Sequence, residues 1–302
     1  HMVGMSFAFK KGQAFYVPVP VDIVEAKTIT NQFKPFFENN KIKLIGQNLK
    51  YDIQILKKYD IRVHDNLFDT MIAHYLLQPD QRHSMDVLAE NYLNYTPISI
   101  EKLIGKKGKN QLKMSDIDPA MVKDYACEDA DVTLQLKHVL EPLLKERNQH
   151  QLFEQIEIPL INILGDMEEE GITVNTGFLA TYSEELGTAE QEAEKKVFEL
   201  AGEEFNVASP KQLGEILFDK MKLVEKPKKT KTGQYATGEE ILTQLAKEHE
   251  ICDKILEFRE LKKLKSTYVD AIPRLVDEKS RVHTDYSQAT AATGRLSSNN
   301  PN

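Results

Sequence analysis

No stretch of this 302-residue sequence approaches the roughly 20 consecutive apolar residues a membrane-spanning helix needs, and no signal-peptide core opens it. These absences exclude a membrane protein and lead to the expectation of a cytoplasmic address. Cysteine is scarce. Cys127 and Cys252 lie far apart in no C-x-x-C pair, so neither a zinc site nor a redox motif is suggested, and both read as reduced, packed thiols. His64, His74, His83, His138 and His283 show no ligand spacing with cysteine and read as packed or surface residues. No internal repeat and no long heptad run is found. Cations do not dominate either: 39 Lys and Arg stand against 47 Asp and Glu, a net charge of -8, which argues mildly against a protein that coats nucleic acid. Local basic clusters still matter, because phosphate binding depends on where Lys and Arg gather rather than on the total.

What is present is the composition of a globular protein, 41% hydrophobic and 28% charged, with length for two domains. Val3 to Phe9 and Ala14 to Val19 are β-favouring runs around the turn residues Lys10-Lys11-Gly12-Gln13, a hairpin signal. Residues 28–39 read as an amphipathic helix, with Phe33, Phe36 and Phe37 as core. Residues 42–45 read as a buried strand launching a helix over 49–58, and residues 68–77 and 84–91 continue the helical period. This strand-helix alternation indicates an α/β domain. Lys106 to Asn110 reads as a basic loop, and Pro119 opens a long helix toward Leu144. Beyond about residue 150 the strand signal nearly vanishes: helices are expected over 152–170, 176–200, 210–221, 239–247 and 253–268. A mobile Lys, Thr and Gly-rich linker is expected over 226–238, and a strand over 281–286.

Two segments carry the chemistry. In Gln47-Asn48-Leu49-Lys50-Tyr51-Asp52 and in Tyr125-Ala126-Cys127-Glu128-Asp129, a carboxylate follows a hydrogen-bonding group by four residues. On a helix such pairs share a face, so Asn48 with Asp52 and Tyr125 with Asp129 form two polar clusters able to point into one cleft. Phosphodiester hydrolysis needs charge neutralisation at the phosphoryl group and an activated water, which two carboxylate-held divalent metals supply. Oxygen ligands suit Mg²⁺ or Mn²⁺. Each cluster alone is weak, since an isolated Asp on a helix is usually solvated.

With their flanks the segments are specific. Gly46 to Asp52 resembles the second exonuclease motif of the bacterial family A DNA polymerases, Tyr125 to Thr133 resembles the third, and Phe68-Asp69-Thr70 resembles a stretch of the same domain. In the second half, Gln212 to Lys220, Leu264 to Tyr268, Arg281 to Thr284 and Thr290 to Ser298 resemble the thumb and the start of the palm. The resemblance implies an RNase H-like 3′–5′ exonuclease domain of α/β class with a mixed sheet over residues 3–148. A mostly α-helical thumb segment of the polymerase domain, with the start of the palm, would follow over 149–302. It implies Asp52 and Asp129 as metal ligands, Tyr125 as the group orienting water, and Gln47 and Asn48 as contacts to a single-stranded 3′ end. Arg259, Lys263 and Arg295 are implied as contacts to duplex DNA, with Lys226, Lys228, Lys229 and Lys231 nearby on the linker.

The pattern departs from the family at one place. The family's D-x-E pair, on the first strand of the domain, is not found; after His1-Met2, which reads as a cloning remnant, Val3 to Phe7 resembles the second strand. The palm carboxylates and the fingers helix are not found either, and Asp285-Tyr286-Ser287 reads as structural. An excised piece of a longer polymerase is therefore expected, inactive by itself, with a gap in its sheet and strand edges open to self-association. Two rival readings are a noncatalytic DNA-binding module and a stand-alone ribonuclease of the same exonuclease superfamily.

Overall fold

The computed structural model describes residues 2–301. By packing they form two compact units, one running to Glu170 and including Thr284–Asn300, the other Gly171–His283. By this packing the second unit begins at Gly171, and the helix after residue 150 stays with the first. Ile158 and Ile161 belong to the first unit's core, which keeps the helix that carries them with that unit.

In the first unit, β1 (Gly4–Lys10) and β2 (Gln13–Pro18) pair antiparallel through a turn in which Gly12 takes a φ of 76°. Helix α1 (Ile23–Thr30) starts at Asp22, whose carboxylate accepts from the N–H groups of Val24 at 2.9 Å and Glu25 at 3.0 Å. The helix expected over 28–39 is not continuous. A 3-10 turn at Asn31–Phe33 separates α1 from α2 (Lys34–Phe37), because Pro35 has no N–H to offer the Asn31 carbonyl. The three phenylalanines pack as expected: Phe7 stacks on Phe33 at 5.3 Å and meets Phe36 edge-on at 5.6 Å.

Strands β3 (Leu44–Gly46) and β4 (Leu67–Asp69) pair in parallel, Gly46 opposite Asp69. Each runs into a helix, α3 (Leu49–Lys57) and α4 (Thr70–Leu77). Phe68, expected at a helix start, is on β4, where its ring is buried against Phe153. Next come α5 (Met85–Leu93), α6 (Glu101–Ile104) and α7 (Pro119–Glu146), then α8 (His150–Leu152), which passes through a π-helical turn into α9 (Ile158–Glu170). Arg147 and Gln149 donate to the last carbonyls of α4, Leu77 at 2.7 Å and Leu76 at 2.8 Å, satisfying acceptors that a helix end leaves open. Leu44, Ile53, Phe68, Ile72, Leu136 and Leu140 anchor the main core of this unit. Among the described residues β1–β2 and β3–β4 are separate two-stranded sheets, so β1 and β3 each keep an unpaired edge.

The second unit is nearly all helix. Its two-residue strands β5 (Ile172–Thr173) and β6 (Arg281–Val282) pair antiparallel. Helix α10 (Thr176–Ala201) runs from the Asn175 cap to Gly202. Ser209 caps α11 (Pro210–Gly214), which continues through a π-helical turn to Lys220. Helix α12 (Glu239–Leu245) and α13 (Glu250–Lys263), itself extended by a π-helical turn to Val269, complete a core of Val197, Val207, Leu217, Leu242, Ile255 and Phe258.

The expected mobile linker at 226–238 is instead a pinned turn. Lys229 bridges Tyr235, the Ala236 N–H reaches the Lys228 carbonyl at 2.9 Å, and the Tyr235 ring lies 5.2 Å from Phe218. The strand expected over 281–286 is also two strands. After β6, β7 (Asp285–Ser287) belongs to the first unit and pairs with β8 (Ser297–Asn299).

Candidate functional site

The site begins where β3 hands the chain to α3. Asn48 takes a left-handed conformation, φ 61°, which turns the chain directly from strand to helix. Gly46 permits the close packing of that turn, since a Cβ there would come within 2.2 Å of the Leu49 side chain. The first N–H groups of α3 then meet a carboxylate from the neighbouring strand. Asp69 accepts from Asn48 N–H at 3.2 Å and Leu49 N–H at 2.7 Å, and caps its own helix by accepting from Met71 at 2.8 Å and Ile72 at 3.2 Å. One buried carboxylate therefore serves two helix N-termini, where negative charge is favoured. Burial pushes the Asp69 carboxyl up, and the four backbone donors pull against that by favouring the anion.

Asp52 sits one turn further along α3 and has none of these donors. It opens to solvent yet is walled in by the cleft around it, and burial, with the Asp69 charge behind it, pushes its carboxyl up to about 7. Asp129, half-buried on α7, is pushed up to about 6, chiefly by burial. Asp52 and Asp129 line a single cavity of about 560 Å³, bounded also by β1, by β3 and by Phe36 and Phe37. Residues 77 positions apart in the chain thus share one cleft, as their spacing implied. The interruption between β1 and β3 opens onto the same cavity.

The other expected residues divide. Tyr125 stands one turn before Asp129 and hydrogen-bonds its carboxylate, but it does not itself line the cavity; burial and the Asp129 charge push its phenol well above the usual range. Gln47 lines the cavity, but its amide is occupied: Nε2 donates to the His83 carbonyl at 2.7 Å and Oε1 accepts from the Thr70 hydroxyl. The polar group expected to meet a nucleotide is thus a tether between α4 and the loop before α5. Asn48 is exposed and, unlike Gln47, does not line the cavity. Among the described residues no group of three or more His, Cys, Asp and Glu could hold a metal ion, so Asp52 and Asp129 do not complete a metal site by themselves.

The expected DNA contacts lie elsewhere. Arg259 is half-buried on α13 and donates to the Thr237 carbonyl at 2.6 Å, which ties it to the pinned turn. Lys263, at the end of α13, is exposed. Arg295 is exposed in the first unit, just past a turn held by Tyr75, whose hydroxyl donates to the Ala291 carbonyl at 2.6 Å and accepts from the Gly294 N–H at 3.1 Å.

Sequence reasoning left two groups without a role. Asp69 carried a signal in Asp-Thr before an apolar helix, the pattern of an N-cap. Lys50 carried none. Its ammonium bonds the buried Glu168 carboxylate of α9 and the Tyr286 carbonyl, and it pairs with Asp285 at 2.8 Å. Asp285 is accordingly part of a structural ion cluster.

Comparisons with known proteins match the two halves of the chain to two family models. The family model for 3′–5′ exonuclease matches residues 1–145, and that for DNA polymerase family A matches residues 176–302. Over its full length the chain is 40% identical to DNA polymerase I of Pseudomonas aeruginosa, covering 34% of that protein, and 36% identical to DNA polymerase I of Bacillus subtilis, covering 33%. It therefore spans about a third of the length of these relatives. A solved structure, the POL domain of Pol1 from M. smegmatis in complex with DNA primer-template and dNTP, matches 96% of this chain and 47% of that one, with a TM-score of 0.78 at 27% identity. No helix among the described residues is long and apolar enough to cross a membrane.

Proposed function

Because the chain belongs to the bacterial family A DNA polymerases, as the stretch joining their 3′–5′ exonuclease part to the start of their polymerase part, we propose the following function. The longer protein copies a DNA template in the bacterial cytoplasm during replication and repair, and removes mismatched 3′ ends by phosphodiester hydrolysis. The observation that carries the nuclease reading is the convergence of Asp52 and Asp129 on one cleft. A frayed single-stranded 3′ end enters that cleft, with the exposed Asn48 as a contact to it and Tyr125 holding the Asp129 carboxylate. Lys263 and Arg295, both exposed, are the candidates for phosphate contacts on duplex DNA. Arg259 contributes mainly by fastening the turn at 226–238.

Mg²⁺ or Mn²⁺ belongs to this reading. The described residues supply two carboxylates toward such a site and no third, so the 302-residue chain is expected not to hydrolyse DNA. The unpaired edges of β1 and β3, facing one cavity, are where a further strand would pair, and they also give the chain a route to self-association.

A 3′-labelled single-stranded oligonucleotide incubated with the chain in Mg²⁺ or Mn²⁺ tests this directly. The expected result is binding without nucleotide release. Release abolished by Asp129→Ala would mean that other groups complete the site within these residues. Binding without release even in a longer protein extended at both ends would favour the rival reading, a noncatalytic DNA-binding module.

A further inference from the structure

At the tip of the β1–β2 hairpin two phenylalanines face water. Met5, Phe7 and Phe9 alternate onto one face of β1; Met5 and Phe7 pack into the core beneath, whereas Phe9 projects past its end and is 69% exposed. Phe15 of β2, opposite Phe7 in register, is 59% exposed and lies 6.3 Å from the Phe9 ring at a tilt of 47°. Apolar surface that is contiguous, unlike a ring exposed singly, is the kind that marks an interaction site. Phe9 also lines the cavity that holds Asp52 and Asp129, and Phe15, which does not line it, stands beside Phe9.

Two further observations say what the pair suits. The turn residues Lys10 and Lys11 are exposed, and neither has an ion-pair partner among the described residues. The tip is also held in place. The Gly12 N–H donates to the Asp131 carboxylate at 2.7 Å, and Asp131 follows Asp129 by two residues on α7. That carboxylate accepts from the Gln135 amide as well, at 2.8 Å, so its charge is partly absorbed. Flat apolar rings flanked by free ammonium groups, fixed beside a cleft, match a nucleobase and its phosphate.

We propose that Phe9 and Phe15 form a stacking platform for an unpaired base of the single strand that enters the Asp52–Asp129 cleft, with Lys10 and Lys11 on its phosphates. The proposal rests on the reading of that cleft as the path of a single-stranded 3′ end. Neither phenylalanine lies in the segments that signalled the nuclease.

Fluorescence titration of the 302-residue chain with a single-stranded oligonucleotide carrying 2-aminopurine near its 3′ end, in EDTA, tests it. Alanine at a stacking position is expected to weaken binding about tenfold or more. The F9A/F15A variant should show that loss together with the loss of stacking-dependent quenching. F9Y/F15Y should retain both, and an abasic oligonucleotide should not distinguish wild type from F9A/F15A. Both rings are exposed, so thermal unfolding should be unchanged, and the single variant F9A reports the same effect should the double variant unfold. Unaltered binding and quenching in F9A/F15A, with wild type binding normally, would overturn the platform and leave the cleft reading intact. Failure of the wild-type chain to bind the strand would overturn both.

Discussion

Asp69 and Asp52 are carboxylates at the same end of the β3–β4 pair, and their surroundings are opposite. Asp69 is buried and receives four backbone N–H groups from two helices. Asp52 is open to a cleft and receives none among the described residues. Burial pushes the carboxyls of Asp69, Asp52 and Asp129 all up, but at Asp69 four backbone donors work against that push, whereas Asp52 has no such donor. A protein can hold a carboxylate in place for structure by saturating its oxygens. A carboxylate meant to engage something else must be left with vacant oxygens, at some cost in stability.

Four measurements sharpen or break this contrast. The largest effect is expected for Asp69→Ala, which strands four donors at two helix starts and should lower the unfolding free energy in urea by about 3–5 kcal/mol. Asp52→Ala should cost nothing, or stabilise slightly, at pH 8, where its charge is penalised in the folded chain. Equal losses would remove the distinction.

Next comes the Lys50 cluster. Lys50→Met takes the Lys50 ammonium from the buried Glu168 carboxylate and should cost about 3 kcal/mol, much of it recovered in K50M/E168L. A purely additive double variant would argue against a coupled pair.

The cleft carboxylates predict a pH dependence of unusual sign. Their folded values lie above the ordinary 3.8. From about pH 4 to about pH 7 the folded chain therefore binds more protons than the unfolded chain, and stability falls as pH rises through that window. Asp129→Asn should be neutral near pH 4 and stabilising at pH 8 by about 1 kcal/mol, a figure reduced for its half-exposed setting. A flat difference between the two pH values in parallel thermal melts would contradict the burial penalty. The smallest change is expected at Ser209, where alanine removes the α11 cap and should cost about 0.5–1 kcal/mol.

Much of the fold was legible because its signals are local. Pro119 at the first turn of α7, Ser209 before Pro210, and the apolar period of α3 and α10 concern residues within a turn or two of one another. The motif residues Asp52 and Asp129 were legible by spacing and resemblance, and the structure brings both to one cavity. The commitment of the Gln47 amide to His83, 36 residues away, is a pairing no local pattern announces. The segment at 226–238 looked mobile by composition, yet Tyr235 and Thr237 fasten it through Phe218 and Arg259.

By itself the sequence determined the element types, the family and the carboxylates at issue, since helix periodicity, caps and motif spacing are written within a few residues of chain. Only the tertiary structure decided which carboxylate is saturated and which is free, that Lys50 is committed to Asp285 235 residues onward, and that Phe9 lines the cleft with Phe15 beside it. The reason is physical: the charge state and availability of a side chain depend on which donors, charges and solvent surround it. Those neighbours are assembled by folding from distant parts of the chain.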